Sequence, residues 1–524
     1  MPPSTPDADE APPRAGWVLF GLIAVASVAN LNLAVANVAL PDIGKAFQAS
    51  QTGLNLVSVG FSLGLAGTVL YLGAVGDRYG RKMLLVLGML LTIPTALLAT
   101  WAPTMPVLIV ARVLGGVAAG MAYPTTLALI TALWRGAPRT KAIALWSAVG
   151  GSMVAVASVV AGWLLVHFWW GSVFLLSVPL ALGALFLAIL FVPSHVNEST
   201  ERVDHVGGLL SVIGIIALVL AINFAPTQGE GLIALCAGLV ALVSLTGFFL
   251  VQRRSSNPLF DLGIASRRIF WVAAVAGLIV FGTLMGSIYI GEQFLQNVLG
   301  YSTLTAGLAV LPAALAMILV APQSAKMIAR FGSRVTLLCG YGSCLVSFFL
   351  MLWLWDEQAT GFEVSLVFVL LGVGVGLAGT PASHSLTGSV PVRRAGMASG
   401  TADLQRDLGG AIMQSLLGAI LTVGYASAVG AQLAGRNASA LVTSQLERSF
   451  SSAADVASTA SPTQAAAIIR GAKISFLHGA DLAYAAGILF IVLGGVLVWC
   501  LFPKQHQEEQ LLEAYERQDA VATS

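Results

Sequence analysis

The sequence predicts an all-α membrane protein with fourteen transmembrane helices, built as two related six-helix bundles with two further helices inserted between them. Three observations predict it. Apolar runs of eighteen or more residues recur along the 524-residue chain, each long enough to cross a hydrocarbon core of about 30 Å. Lys and Arg fall almost entirely on one side of those runs. A short basic loop also occurs twice, 252 residues apart, each time after the second span of a six-span block.

The expected spans are 17–40, 52–74, 83–101, 105–131, 142–166, 171–192, 206–225, 231–251, 269–297, 303–327, 335–355, 363–388, 397–425 and 478–502. They divide the chain into a disordered cytoplasmic tail (1–16), an N-terminal six-helix bundle (17–192), a linker carrying two extra helices (193–268), a C-terminal six-helix bundle (269–502) and a second cytoplasmic tail (503–524). Most connections are short. The exception is 426–477, rich in Ala and Ser, which reads as a long outer loop before the last span.

Orientation follows from the cations. With the N-terminus in the cytoplasm, nineteen Lys and Arg lie in the two tails and in the loops around 78–82, 135–141, 202, 253–268, 326–334 and 393–394. The short outer loops hold Lys45 alone. This is the positive-inside pattern. It places both termini in the cytoplasm of a multi-pass protein of the cell (inner) membrane. Arg436, Arg448, Arg470 and Lys473 fall in the long outer loop, and long loops escape the rule.

Composition excludes several classes. Hydrophobic residues make up 57% and charged residues only 10%, with a mean hydropathy of +0.87. A soluble protein carries about a quarter charged residues. The net charge of +2 and the lack of a basic tract give no sign of nucleic-acid binding. Cys236, Cys339, Cys344 and Cys500 sit in apolar runs without metal-ligand spacing and read as small core residues. The first residues, "MPPSTPDADEAPPRAGW", lack the basic start and cleavage site of a signal peptide, so the first apolar run is expected to remain.

The repeated loop reads "DRYGRK" at Asp77–Lys82 and "ARFGSR" at Ala329–Arg334. Related halves around a central site are the architecture of alternating-access transporters. Gly76 and Gly80 allow a tight turn at the membrane surface. A carboxylate such as Asp77 is favoured at helix N-terminal amides. Arg78, Arg81 and Lys82 can pair with acids or lipid phosphate.

The stretch "GAVGDRYGRKMLLVLG" (Gly73–Gly88) is similar to the loop signature of the major facilitator superfamily, Gly-x-x-x-Asp-Arg-x-Gly-Arg-Arg/Lys. Fourteen spans narrow the resemblance to the drug–proton antiporter branch with fourteen helices. "NLNLAVANVALP" (Asn30–Pro41) resembles that branch's first span, "ARVLGGVAAGMAYP" (Ala111–Pro124) its fourth, and "LQNVLGYSTLTAGLAVLP" (Leu295–Pro312) its link between spans 9 and 10. Asp403 and Asp407 resemble the acidic pair in span 13 of exporters of quaternary ammonium compounds and cationic dyes. The resemblance implies a conformational role for Gly73, Asp77, Arg78, Gly80, Arg81 and Lys82. The chain departs from the family in span 1, where Asn32 stands in place of an acid. It departs again in span 5, where "ASVVAG" (Ala157–Gly162) replaces Gly-Pro-x-x-Gly-Gly.

No Gly-x-x-x-x-Gly-Lys-Ser/Thr motif is present, so the expected energy source is a proton gradient, with no cofactor. Charge at bilayer depth is costly and marks function. A buried carboxylate can hold a proton, because burial disfavours its charged form while a nearby cation favours it. The expected proton-coupling residues are Asp407, Asp403 and Glu292. Asp403 and Asp407 lie one helical turn apart, with Arg406 on roughly the same side. Two acids and one cation leave one surplus negative charge. Asp407, the deeper acid, is assigned the alternating role and Asp403 the pairing role with Arg406. The expected substrate-binding residues are Asp407, Asn32, Glu292 and Arg112, with Arg112 and Arg406 as coupling or pairing cations.

Weaker candidates have plain structural readings. His384 reads as a hydrogen-bonded polar residue and Asp481, near His478, as a charge at a helix N-terminus. "GVGVGLAG" (Gly372–Gly379) reads as a close-packing seam. Trp169, Trp170, Trp353 and Trp355 read as an interfacial belt, and "NAS" at Asn437 as a chance sequon.

The leading expectation is a monomeric, proton-driven exporter of amphipathic, cationic small molecules, working in the lipid bilayer and binding no nucleic acid. An exporter of an endogenous lipid or secondary metabolite is a second transporter reading. A non-transporting receptor or scaffold on the same fold is a third, and the absence of a recognisable soluble domain argues against it. No catalytic constellation points to an enzyme.

Overall fold

The computed structural model describes residues 12–48, 51–194, 203–225, 230–255, 257–434 and 440–521. The expected tail 1–16 thus lies mostly outside the described residues, as do Arg202, Arg436 and Asn437. Among the described residues there is no strand.

The first half of the chain contains α1 (Ala15–Phe47), α2 (Gln51–Tyr79), α3 (Arg81–Thr100), α4 (Met105–Leu133), α5 (Gly136–His167), α6 (Ser172–Leu175) and α7 (Ser177–Phe191). Next come α8 (His205–Phe224), α9 (Gly231–Arg254) and the short α10 (Leu262–Ala265). The second half contains α11 (Arg268–Asn297), α12 (Thr303–Leu354), α13 (Gly361–Gly388), α14 (Ala395–Leu433), α15 (Ala440–Arg448), α16 (Phe450–Ser458), α17 (Pro462–Leu501) and α18 (Gln505–Val521). Twelve described helices are long and apolar enough to cross a membrane. One of these spans, Leu304–Leu354, is 51 residues long and belongs to α12, which bends at Gly332, where φ is 80°. α5, with 32 residues, adds a further long helix.

Packing sorts the helices. α1 to α7 contact one another, as do α11 to α14 with α17, while α5 crosses to α12 and α13, and α2 and α4 cross to α14. α8 and α9 pair with each other, and α8 lies against α2 and α14. Small residues let these helices approach closely. A Cβ on Gly64 of α2 would overlap the Val113 carbonyl oxygen, and one on Gly116 of α4 would overlap that of Phe61. The glycine-rich run Gly372–Gly379 likewise presses Gly372 on Ala313 and Gly374 on Gly340.

Several expectations change. The range 426–477 is largely helical: α14 runs on to Leu433, α17 starts at Pro462, and α15 and α16 fill the interval. Its Ala-rich composition favours helix even where it is too polar to span. Of the tail 503–524, Gln505–Val521 is also helical, as α18. Trp355 belongs to the core rather than a belt, 3% exposed and stacked on Phe294 at 4.9 Å, whereas Trp353 is 81% exposed. Cys344 is buried, but Cys236, Cys339 and Cys500 are exposed. An apolar thiol on a lipid-facing surface meets no desolvation penalty.

Candidate functional site

The repeated loop forms the first part of the site. Gly80, at φ 120°, turns the chain sharply between α2 and α3. Asp77 then faces α14, and its Oδ2 accepts from the Gly396 amide at 2.7 Å, in the first turn of that helix. A helix N-terminus offers unpaired amides and a positive dipole end, so a carboxylate is stabilised there. Asp77 Oδ1 accepts from Arg81 Nε at 2.9 Å, and Arg81 Nη2 donates to the Val392 carbonyl at 2.8 Å. Asp77 and Arg81 are 6% and 2% exposed, so these bonds escape competition from water. Gly73 completes the contact, since a Cβ there would press on the Gly396 carbonyl oxygen at 2.9 Å. Lys82 donates to the Ile189 carbonyl at 2.9 Å, within its own half. Arg78 stacks over Tyr79, 6.0 Å from the ring centroid. The two halves are therefore joined on the face that carries the basic loops.

Away from that face lies a cavity of about 790 Å³ between the halves. Asn30 and Asn37 of α1, Ser58 and Ser62 of α2, and Tyr123 of α4 line one wall. Phe281, Tyr289, Glu292 and Gln293 of α11 line the other, with Arg406, Asp407 and Gln414 of α14. Val219 and Asn223 bring α8 into the wall, so the inserted pair helps to shape the space.

Arg406 is held from both halves. Its Nη1 donates to Asp403 Oδ1 at 3.0 Å and to the Tyr123 hydroxyl at 3.4 Å. Its Nη2 donates to Ser383 Oγ at 3.1 Å and reaches Ser147 Oγ at 3.5 Å. The guanidinium also sits between the faces of Trp146 and Phe281, 4.5 and 4.8 Å from their centroids, a favourable cation–π setting. Asp403 is fully buried, and its contact with Arg406 is an ion pair. Asp407 Oδ2 has no hydrogen-bond partner among the described residues. The cavity wall therefore carries the carboxylates of Asp407 and Glu292, together with an arginine already engaged by Asp403.

Asn32 and Arg112, expected to bind substrate, lie away from this cavity. Arg112 Nη1 donates to the Asn32 carbonyl at 2.7 Å and Nε to that of Val57 at 3.3 Å, while Ser177 Oγ donates to Asn32 Oδ1 at 2.8 Å. Phe61 and Phe174 flank the guanidinium. Both residues are buried inside the N-terminal half and neither lines the cavity. Asn30, two residues from Asn32, faces the cavity instead. The sequence reading missed it, along with the neutral lining of Asn37, Tyr123, Gln293 and Gln414.

This all-helical fold, with a carboxylate-lined space between two halves clamped by a repeated loop, defines a membrane transporter. The family model described as "Major Facilitator Superfamily" matches residues 22–414. The chain belongs to that superfamily, a family of transporters and not of enzymes. It is 34% identical over 428 residues to the "Multidrug efflux pump LfrA" of Mycolicibacterium smegmatis, covering 81% of this chain and 84% of that protein. It is 32% identical over 393 residues to the "Multidrug resistance protein Stp" of Mycobacterium tuberculosis, covering 75% of this chain and 73% of the other. The crystal structure of the human organic anion transporter MFSD10 shares the fold, with a TM-score of 0.60 at 13% identity, covering 93% of this chain and 100% of that one.

The clamp leads to a prediction. Asp77→Asn keeps the shape but removes the charge that faces the Gly396 amide. It should leave the protein folded and slow transport severalfold, because the bond can exist only while the two halves are closed on this face. Unchanged turnover at unchanged expression would show the loop to be only a topological anchor.

Proposed function

We propose that the protein is a proton-driven exporter of amphipathic, cationic compounds, working as a monomer by alternating access in the cell (inner) membrane. The observation that carries this reading is the cavity, where Asp407 and Glu292 face the space while Arg406 is paired with Asp403. A surplus carboxylate in a low-dielectric space requires a proton or a cation. A proton and a cationic substrate can therefore compete for one site, which is the requirement for exchange. Aromatic and neutral polar walls suit amphipathic molecules of varied shape. The names of the efflux relatives support drug export as the task of this site.

We read the chain as fourteen crossings, counting α12 as two and α5 as one, with both termini in the cytoplasm. The described conformation then faces outward, with the cytoplasmic gate shut by Asp77–Gly396 and Arg81–Val392. Protonation from outside would release the substrate. Inward opening would break those bonds and part Arg406 from Tyr123 and Ser147, while Arg406 keeps Asp403 and Ser383. Loss of the proton to the cytoplasm would restore the cation site.

Two measurements test this. In proteoliposomes with an imposed pH gradient, cationic dyes should be moved, with neutral drugs and lipids as the comparison panel. Transport of lipids alone would favour an exporter of endogenous metabolites. For topology, single cysteines at positions 330 and 455 in an otherwise cysteine-free protein should label differently from outside. Label is expected at 455 and not at 330, and the reverse would sink the orientation.

A further inference from the structure

The second copy of the basic loop lacks the acid of the first. Ala329 stands where Asp77 stands, and Ser333 where Arg81 stands. The structure shows a carboxylate there nonetheless, brought by α18. Glu508 Oε2 accepts from the Ser333 amide at 3.2 Å, and its Oε1 accepts from Ser385 Oγ at 3.2 Å. Glu508 is only 6% exposed. It shares one face of α18 with Leu511, Leu512 and Tyr515, at i, i+3, i+4 and i+7, and those three pack against the core. A carboxylate on the buried face of an otherwise amphipathic helix is costly unless it is satisfied, and here two donors from separate helices satisfy it. Gly332, at φ 80°, is pressed against Gln505 at the start of the same helix.

A second anchor lies further along. Asp519 receives Arg267 in a two-pronged pair at 2.6 and 3.1 Å, and the same guanidinium donates to the Ser389 carbonyl at 2.6 Å and stacks on Tyr515 at 4.6 Å. α18 thus holds the chain at Ser385 directly and at Ser389 through Arg267. That segment continues into Val392 and Gly396, the partners of Arg81 and Asp77.

We propose that α18 is a third component of the gate on the basic face, with Glu508 as its positioning residue. It supplies to the second loop the acid that Asp77 supplies to the first, and it fixes the 385–396 segment against which the N-terminal half closes. This does not depend on the nature of the substrate.

Spin labels at positions 79 and 392, in an otherwise cysteine-free protein, report the gate distance by pulsed electron resonance. The Val392 backbone carbonyl that Arg81 uses is untouched by this labelling. Glu508→Ala should raise the long-distance population by roughly threefold to tenfold, the scale of weakening the closed arrangement by about one ordinary net hydrogen bond. Glu508→Gln should fall between Glu508→Ala and the parent, and Glu513→Ala, on the exposed face, should match the parent. An unchanged distribution in well-folded Glu508→Ala protein would overturn the proposal. If that variant fails to fold, Ser385→Ala decides: it removes one donor to Glu508 and leaves α18 intact. A rise in the long distance with Ser385→Ala supports the proposal, and no rise overturns it.

Discussion

Asp407→Asn is expected to abolish proton-driven export of cations while leaving the protein at its normal level. The side chain keeps its size and loses only its ability to ionise. The geometry concentrates the effect at this residue. Arg406 is already committed to Asp403 at 3.0 Å, with Tyr123 and Ser383 as further partners. Asp407 therefore faces the cavity with Oδ2 free of any hydrogen bond among the described residues. If the surplus charge is balanced in turn by a proton and by substrate, an amide at 407 removes both halves of the exchange. Neutral substrates, which need no counter-charge, should be spared. Asn32→Ala should be milder and act on stability, since Asn32 lies inside the N-terminal half, bonded to Ser177 and Arg112. The measurement is pH-gradient-driven uptake of a cationic dye into inside-out vesicles. Full uptake by Asp407→Asn would move the surplus charge to Glu292, the other carboxylate on the cavity wall.

The acids were legible because a charge in an apolar run stands out against every neighbour. The clamp loop was legible because a tight turn and a helix-terminal carboxylate demand fixed spacing. Which neutral polar residues face the cavity was not. In a membrane helix every face is apolar, so periodicity does not separate a seam, a lipid face and a cavity wall. Asn30 and Asn32 show the consequence. Two residues turn a helix by about 200°, so one faces the cavity and the other the interior of its own half. Arg112 reads in the sequence both as a coupling cation and as a substrate contact because a buried cation implies function, and in the fold carbonyl groups and two rings of its own half satisfy most of its needs. The helices in 426–477 and α18 were read as loop and tail because their apolar content is too low for a span. For α18, the spacing of Leu511, Leu512 and Tyr515 was a usable signal, since it marks one packed face.

Arg406→Ala should be the most damaging single change in the chain, failing first in assembly and only then in transport. Asp403 is fully buried and Arg406 is its ion-pair partner, so truncation leaves a carboxylate uncompensated in low dielectric. Breaking a buried pair from one side costs about 3–5 kcal/mol, a large share of a typical stability of roughly 5–15 kcal/mol. The slot between Trp146 and Phe281 would empty at the same time, and the links to Tyr123 and Ser147 in the other half would go. Arg406→Lys should rescue little. An ammonium is a point donor and cannot span Asp403, Tyr123, Ser147 and Ser383 as a planar fork does. Removing both charges separates the two roles of the pair. In Asp403→Asn with Arg406→Met neither member of the pair is left as a lone buried charge, and exchanging a buried pair for neutral groups of similar volume is often close to neutral for stability. The double variant should therefore recover much of the membrane level and thermal stability that Arg406→Ala loses. Transport should stay impaired, because Asp407 loses its neighbouring cation and the cross-half links are absent. Detergent-solubilised protein can be followed by size exclusion and thermal melting, with dye transport measured in parallel. Equal stability of Arg406→Ala and the parent would show that Asp403 is carried in its neutral form and that the links from Arg406 to Tyr123 and Ser147 do not hold the two halves together.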